Sequence, residues 1–126
     1  MEADRCWTLA PLPEEVPRIR REVHRFVAER QRLSAARLRD LDLVVTEVVT
    51  NALLHGYRGE HRAPIEVDVH VDGHVEIVVR DRGVGMSPHL DSPGAGLGLA
   101  IVGKLADSFE VRAAGGGGTE VRVVFE

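Results

Sequence analysis

The sequence predicts an α+β fold, a two-layer sandwich whose mostly antiparallel sheet carries about three helices on one face. Helical apolar periodicity dominates the first half of the chain, and apolar residues alternate with polar ones in the second half. Asp72-Gly73 separates two alternating runs, which is a strong signal for a tight hairpin. Because each strand is apolar on one side only, helices must cover that side. We expect one domain over residues 1–126.

The chain opens with a short predicted strand and a first helix. Residues 6–9 have strand character and are followed by Pro11 and Pro13, which stop the strand. Residues 14–32 place their apolar side chains at helical spacing. Pro17 falls in the first turn of this helix, where its missing N–H costs little.

A second helix is predicted from Ser34, a good N-cap residue, to about His55, with Gly56 as its C-cap. Its apolar residues cover so much of the helix surface that we expect it to be largely buried. They are Leu38, Leu41, Val44, Val45, Val48, Val49, Ala52 and Leu53.

The second half predicts two hairpins with a helix between them. Residues 65–71 and 75–80 alternate between apolar and polar and form the first hairpin. Residues 97–107 predict a third helix. Residues 109–113 and 119–125 predict a second hairpin across a run of four glycines. All strands are expected in one sheet.

Composition excludes several classes of protein. Cys6 is the single cysteine of the 126 residues, which excludes a disulfide framework and fits the cytoplasm. No apolar run approaches the roughly 20 residues that a membrane helix needs. The net charge of −4 disfavours general binding to nucleic-acid backbones. Most of the 13 glycines follow residue 82, which suggests that the backbone there is shaped around a ligand.

Asp81 is the first candidate site residue. It continues the inward parity of its strand, so its carboxylate should point toward the helices, where it needs a specific hydrogen-bond donor. Thr119 has the same inward parity on the last strand. Gly83 and Gly85 would let a ligand approach the backbone. The alternative is that Asp81 merely caps a turn, as aspartate before glycine often does.

Glu47 and Asn51 form a polar stripe on the second helix. They are four residues apart and therefore lie on one face. A carboxylate and an amide oxygen are hard ligands of the kind that Mg²⁺ takes together with water and phosphate oxygens. The alternative is that the stripe is the solvent edge of an amphipathic helix.

The segment Gly94-Ala95-Gly96-Leu97-Gly98 leads directly into the third helix. Backbone N–H groups at a helix N-terminus form a site suited to phosphate. The segment lacks the Gly-Lys-Ser/Thr of a P-loop, and it does not follow a strand as a dinucleotide fingerprint would. The alternative is a flexible loop with a glycine-rich helix start.

Taken together, the order and spacing of these motifs resemble the GHKL (histidine-kinase-like) ATPase superfamily. That superfamily includes sensor histidine kinases, gyrase-type topoisomerases, Hsp90 chaperones and MutL proteins. The closest likeness is to the bacterial anti-sigma-factor serine/threonine-protein kinases. It is carried by residues 47–57 (EVVTNALLHGY), by Asp81-x-Gly83-x-Gly85 and by Gly94-x-Gly96-x-Gly98.

The resemblance implies an adenine pocket around Asp81. In the family, the matching aspartate receives the exocyclic amine of adenine, and a threonine matching Thr119 supports it through water. Gly83 and Gly85 would shape the same pocket. This agrees with the inward parity of the two polar residues.

The resemblance also implies a site for the ATP phosphates and Mg²⁺. Asn51 would hold a magnesium ion bridging the phosphates, and Glu47 would act as general base toward a serine or threonine hydroxyl. The phosphates would be cradled by Gly94, Gly96, Leu97 and Gly98. Residues 86–93 would form a short lid.

The implied function is that of an anti-sigma factor and ATP-dependent protein-serine kinase. It would sequester a sigma factor and phosphorylate an anti-anti-sigma partner, as a homodimer that contacts neither nucleic acid nor membrane. No Lys or Arg occurs from Gly83 through Gly103, so the family's lid arginine has no counterpart. The alternative is therefore a nucleotide-gated binding module without phosphoryl transfer. A fragment of a sensor kinase is a weaker possibility.

Half of the 16 basic residues lie between Arg18 and Arg39. They predict a docking surface for an acidic protein partner, which is consistent with anti-sigma activity. The alternatives are a solvated helix face or, less favoured by the acidic total, a nucleic-acid surface.

Overall fold

The computed structural model describes residues 4–56, 63–82, 95–113 and 118–126. Three helices and five strands lie in this part of the chain. In chain order they are β1 (Arg5–Leu9), α1 (Glu15–Arg30), α2 (Ala35–Gly56), β2 (Ile65–Val71), β3 (Val75–Asp81), α3 (Ala95–Leu105), β4 (Ser108–Ala113) and β5 (Thr119–Phe125).

The five strands form one sheet in the order β1-β2-β3-β5-β4, and every neighbouring pair is antiparallel. The last strand therefore lies between β3 and β4. Its register places Val75 opposite Phe125 at one end of β3 and Asp81 opposite Thr119 at the other. This insertion brings together two polar residues that are far apart in the sequence.

One face of the sheet and the helices enclose the hydrophobic core. The strands turn alternate residues inward, and α1 and α2 close over them with their own apolar faces. Fully buried examples are Ile77, Phe125 and Val49, and each such side chain contributes about 1.5–3 kcal/mol by leaving water. The predicted α+β sandwich with three helices and an antiparallel sheet is confirmed.

The opposite face of the sheet carries paired charges. The Arg80 guanidinium contacts Asp68 at 2.6 Å and Glu120 at 2.8 Å. Hydrogen bonds to these carboxylates, chiefly to Asp68, raise the pKa of Arg80. Val78 is buried within the same face. With its charges already paired, this face contrasts with the apolar face that holds Asp81.

The helix ends follow the predicted signals with small shifts. The hydroxyl oxygen of Ser34 accepts a hydrogen bond from the N–H of Arg37 at 3.0 Å, which confirms the N-cap of α2. The first helix ends at Arg30 because Gln31 is extended. α3 starts at Ala95 and ends at Leu105, so its start and its end each lie two residues before the predicted position.

None of the helices in the described ranges is both long and apolar enough to cross a membrane.

Candidate functional site

Asp81 and Thr119 lie side by side at the end of the apolar face. Asp81 is only 6% exposed and is the one buried charged residue in the described ranges. Thr119, which is half-buried, is its partner in the β3–β5 register. A buried carboxylate beside a hydroxyl can accept a hydrogen bond from a ligand and discriminate strongly between ligands.

Gly118 supports this pair through its backbone. Its φ of +89° lies in the region that favours glycine, and a Cβ built there would lie 2.1 Å from the carbonyl oxygen of Asp81. The chain therefore enters β5 in direct contact with the end of β3. Sequence analysis assigned Gly118 only to a hairpin turn and missed this close approach.

Glu47 and Asn51 occupy adjacent turns of α2, and both are half-buried. At this spacing their Cβ atoms are about 5–6 Å apart. Their neighbours Val48 and Ala52 are buried in the core, so the polar stripe borders the buried face. α2 packs on β3, on β5 and on α3, which are the elements that carry the other candidate residues.

The donor chemistry on α2 fits a magnesium ion bound together with phosphate. Asn51 offers one amide oxygen and Glu47 one carboxylate, and Mg²⁺ in nucleotide sites usually takes one or two protein oxygens besides water and phosphate. The described ranges contain no group of three or more His, Cys, Asp or Glu residues that could hold a metal ion.

The start of α3 is the third part of the candidate site. Gly96, Leu97 and Gly98 belong to its first turn. The N–H groups of a first turn have no partner within the helix, and the helix dipole adds partial positive charge there, so this end attracts anions. Gly83, Gly85 and Gly94 lie outside the described residues, as do residues 86–93 of the predicted lid.

A cavity of about 530 Å³ lies on the other side of α2, where it meets α1. The basic side chains of the cavity come from one face of α1, and Asp42 of α2 closes it. His24 contacts Asp42 through Nδ1 and Oδ1, 2.8 Å apart. The lining residues are Arg20, Arg21, His24, Arg25, Ala28, Glu29 and Asp42. The arginine-rich segment thus forms a concave surface.

Sequence reasoning missed two long-range contacts made by helix residues. His24 of α1 meets Asp42 of α2 across 18 residues, and Arg37 of α2 reaches Asp107, which follows α3, across 70 residues. Helical spacing could have placed His24, Asp42 and Arg37 on their helices. No local pattern, however, indicates which helices pack together, so these pairs became visible only in the fold.

The chain matches known proteins over most of its length. A sequence profile of the histidine kinase-like ATPase domain matches residues 9–125. The anti-sigma F factor of Oceanobacillus iheyensis is 36% identical over 99 residues, which cover 67% of this chain and 66% of that protein. The anti-sigma F factor of Heyndrickxia coagulans is 34% identical over 95 residues, or 64% of this chain and 63% of that protein. The chain therefore spans slightly less than two thirds of these relatives.

A solved structure is similar as well. It is the histidine kinase domain of the blue-light activated histidine kinase of Erythrobacter litoralis EL346. The likeness has a TM-score of 0.56 at 26% identity and covers 89% of this chain and 59% of that one. The described sheet and helices are thus similar in arrangement to those of a histidine kinase domain.

Proposed function

The chain belongs to the histidine kinase-like ATPase domain family, and from that premise we propose that it is an ATP-dependent anti-sigma factor and protein-serine kinase. It would bind a sigma factor and phosphorylate an anti-anti-sigma partner. The observation that carries the nucleotide site is the buried carboxylate of Asp81 beside Thr119. The partner classes rest on its similarity to proteins named anti-sigma F factor.

Asp81 would select adenine. Its carboxylate would accept a hydrogen bond from the exocyclic amine, with Thr119 assisting through a water molecule. A guanine ring presents a carbonyl oxygen at that position, which a buried carboxylate repels. Gly83 and Gly85 would line the same pocket.

Asn51 would bind a magnesium ion together with the nucleotide phosphates. Asn51 is half-buried and adjoins Ala52, which is buried in the core. Gly94, Gly96, Leu97 and Gly98 would surround the phosphates, with the N-terminal dipole of α3 favouring their negative charge. Mg²⁺ would supply charge neutralisation during the reaction.

Glu47 would act as the general base. It would take the proton from the hydroxyl of the partner's serine while the hydroxyl oxygen bonds to the γ-phosphorus and the bond from that phosphorus to the β,γ-bridging oxygen breaks. Arg82 and Lys104 are the basic residues on either side of the segment from Gly83 through Gly103, which has no Lys or Arg. Lys104 lies in the last turn of α3, about 13 Å along the axis from Ala95. Arg82 follows β3, is largely exposed and pairs with Glu66 on the charged face of the sheet, so its guanidinium points away from the face that holds Asp81.

The cavity between α1 and α2 would receive an acidic surface of the sigma factor. Arg20, Arg21 and Arg25 give it a positive lining that is only partly balanced by Glu29 and Asp42. Reversing these three arginines to glutamate should weaken partner capture at least tenfold and leave ATP affinity unchanged. The matched control is reversal of Arg39, an exposed arginine of α2. Equal loss with the control would reject this docking surface.

We also propose a homodimer formed through β1 and α1. β1 is an edge strand, so its outer side offers backbone groups to a second strand. Light scattering at micromolar concentration should give twice the chain mass, and a monomer mass would contradict the assembly.

The kinase proposal is tested with Glu47→Ala, using Glu14→Ala, an exposed position before α1, as the control. Labelled ATP, Mg²⁺ and a serine-bearing anti-anti-sigma protein are incubated with each variant. Loss of transfer in Glu47→Ala alone, with ATP and partner binding retained, supports the kinase. Partner release that follows the nucleotide without any transfer by the wild type supports a nucleotide-gated binding module. That second candidate is considered because no Lys or Arg occurs from Gly83 through Gly103.

A further inference from the structure

We infer that Arg37 is a positioning residue that sets the phosphate-binding end of α3 against the catalytic face of α2. The inference rests on the proposed function, because it assumes that phosphates bind at the start of α3. Arg37 is the third residue of α2, ten residues before Glu47 and 14 residues before Asn51. Its influence must therefore pass through the packing of the two helices.

The guanidinium of Arg37 holds the end of α3 with two short hydrogen bonds. Nη1 donates to the backbone carbonyl oxygen of Leu105 at 2.6 Å, and Nη2 donates to Oδ2 of Asp107 at 2.6 Å. Nη1 also contacts Asp40 at 3.2 Å. The Leu105 carbonyl belongs to the last turn of α3, where carbonyls lack helical partners and a cation is favourable.

The same guanidinium joins α3 to the sheet. Its central carbon lies 4.7 Å from the ring centroid of Phe125, which is fully buried. Oδ2 of Asp107 also accepts a hydrogen bond from the N–H of Glu126 at 2.7 Å. The N–H of Asp107 donates to the carbonyl oxygen of Val124 at 2.9 Å. Arg37 therefore connects the start of α2, the end of α3 and the end of β5.

The backbone of Arg37 is fixed as well. Its N–H donates to the N-cap hydroxyl of Ser34 at 3.0 Å. The planar guanidinium has several donors in a rigid arrangement, so it can serve Leu105 and Asp107 together. A lysine at this position could satisfy one of them but not both with the same geometry.

The lengths of the two helices explain how this contact reaches the site. The first turns of α2 meet the last turn of α3, and the helices pack together, so they run in opposite directions. Glu47 is ten residues after Arg37, and Ala95 is ten residues before Leu105. Both intervals correspond to about 15 Å of helix. With the two helices running in opposite directions, these intervals bring Glu47 toward the start of α3.

Loss of the Arg37 contacts would let α3 tilt about its packed middle. Its N–H groups at the other end would then shift relative to Glu47 and Asn51, and displacements of this size weaken a charged ligand's hydrogen bonds. Asp81 and Thr119 belong to the sheet and keep their positions. The expected defect is therefore selective for the phosphates and spares the nucleoside.

The experiment compares Arg37→Gln, Arg37→Lys and the control Arg39→Gln in the full chain. Calorimetry measures the affinity of each variant for Mg-ATP and for adenosine. Arg37→Gln should lower the affinity for Mg-ATP about tenfold and the affinity for adenosine less than twofold. The affinity of Arg37→Lys for Mg-ATP should lie between those of Arg37→Gln and the wild type. Arg39→Gln should bind both ligands as the wild type does. An equal loss for adenosine and ATP, or no loss for either, overturns the inference.

Asp107→Asn gives a second variant if Arg37→Gln does not fold. It keeps the arginine and weakens one charge-assisted bond, so it should reproduce the selective defect in smaller measure. Amide hydrogen exchange without nucleotide provides a separate readout. Exchange in residues 99–105 should accelerate in Arg37→Gln, while β2 and β3 keep their protection.

The two proposals fail in different ways. If the wild type binds neither ATP nor adenosine, the proposed function is wrong and hydrogen exchange alone decides whether Arg37 positions α3. Unchanged exchange in residues 99–105 would then overturn the inference. If the wild type binds ATP and Arg37→Gln binds it equally well, the inference is wrong and the proposed function stands.

Discussion

Asp81 and Thr119 face each other across the β3–β5 pair, one ending its strand and the other beginning its own. Their side chains point to the helix-covered face, where Asp81 is almost completely buried. The arrangement depends on the position of β5 between β3 and β4. A strand order with β4 between β3 and β5 would separate the two residues, and the proposed adenine site would not form.

Gly118→Ala should destabilise the protein by at least about 3 kcal/mol, because the new Cβ needs a left-handed backbone and meets the Asp81 carbonyl oxygen at 2.1 Å. Urea unfolding measures the change. Gly73→Ala is the matched control, since Gly73 also has a positive φ of 73° but nothing lies within 4 Å of its Cβ. The control should lose only about 1–2 kcal/mol. Equal losses would show that the contact with Asp81 is unimportant.

Ser34→Ala should lower the free energy of unfolding by about 1 kcal/mol, because the N–H of Arg37 loses its N-cap acceptor. Thermal unfolding should show this as a lower Tm. Ser108→Ala, at an exposed position at the start of β4, is the control and should change stability by less than about 0.5 kcal/mol. A Ser34 variant as stable as this control would contradict the capping role.

Cys6 should react slowly with iodoacetamide at pH 8, although it is exposed. A hydrogen bond to Asp68 raises the pKa of the thiol, with some contribution from desolvation, and only the thiolate reacts. The increase of the rate with pH should therefore occur at higher pH than for an unperturbed cysteine. Asp68→Asn should accelerate the reaction at pH 8, whereas Asp72→Asn in the β2–β3 turn should not. A rate equal to that of a small cysteine peptide would exclude the hydrogen bond.

Local features of the sequence were sufficient to predict most elements. Ser34 precedes a long apolar helix pattern, and Asp72-Gly73 separates two alternating strands, so both positions were predicted from neighbouring residues alone. Strand parity also predicted that Asp81 and Thr119 face inward. These features depend on backbone propensity and on alternation, which a single sequence carries.

Long-range relations could not be predicted in the same way. A hairpin of β4 and β5 was predicted, but nothing local indicates that β5 pairs with β3 on its other side. The early end of α3 has the same origin. Asp107 leaves the helix because its N–H binds the carbonyl oxygen of Val124 and its carboxylate binds Arg37. Such tertiary contacts override the helical pattern of the segment.

The most direct measurement of the central proposal is the affinity of the wild type and of Asp81→Asn for Mg-ATP, measured by calorimetry. The wild type should bind ATP, and Asp81→Asn should bind it at least tenfold more weakly because the exocyclic amine loses its buried carboxylate acceptor. Asp72→Asn, in the exposed turn, should bind as the wild type does. Absence of ATP binding by the wild type, or equal binding by Asp81→Asn, would contradict the proposed nucleotide site.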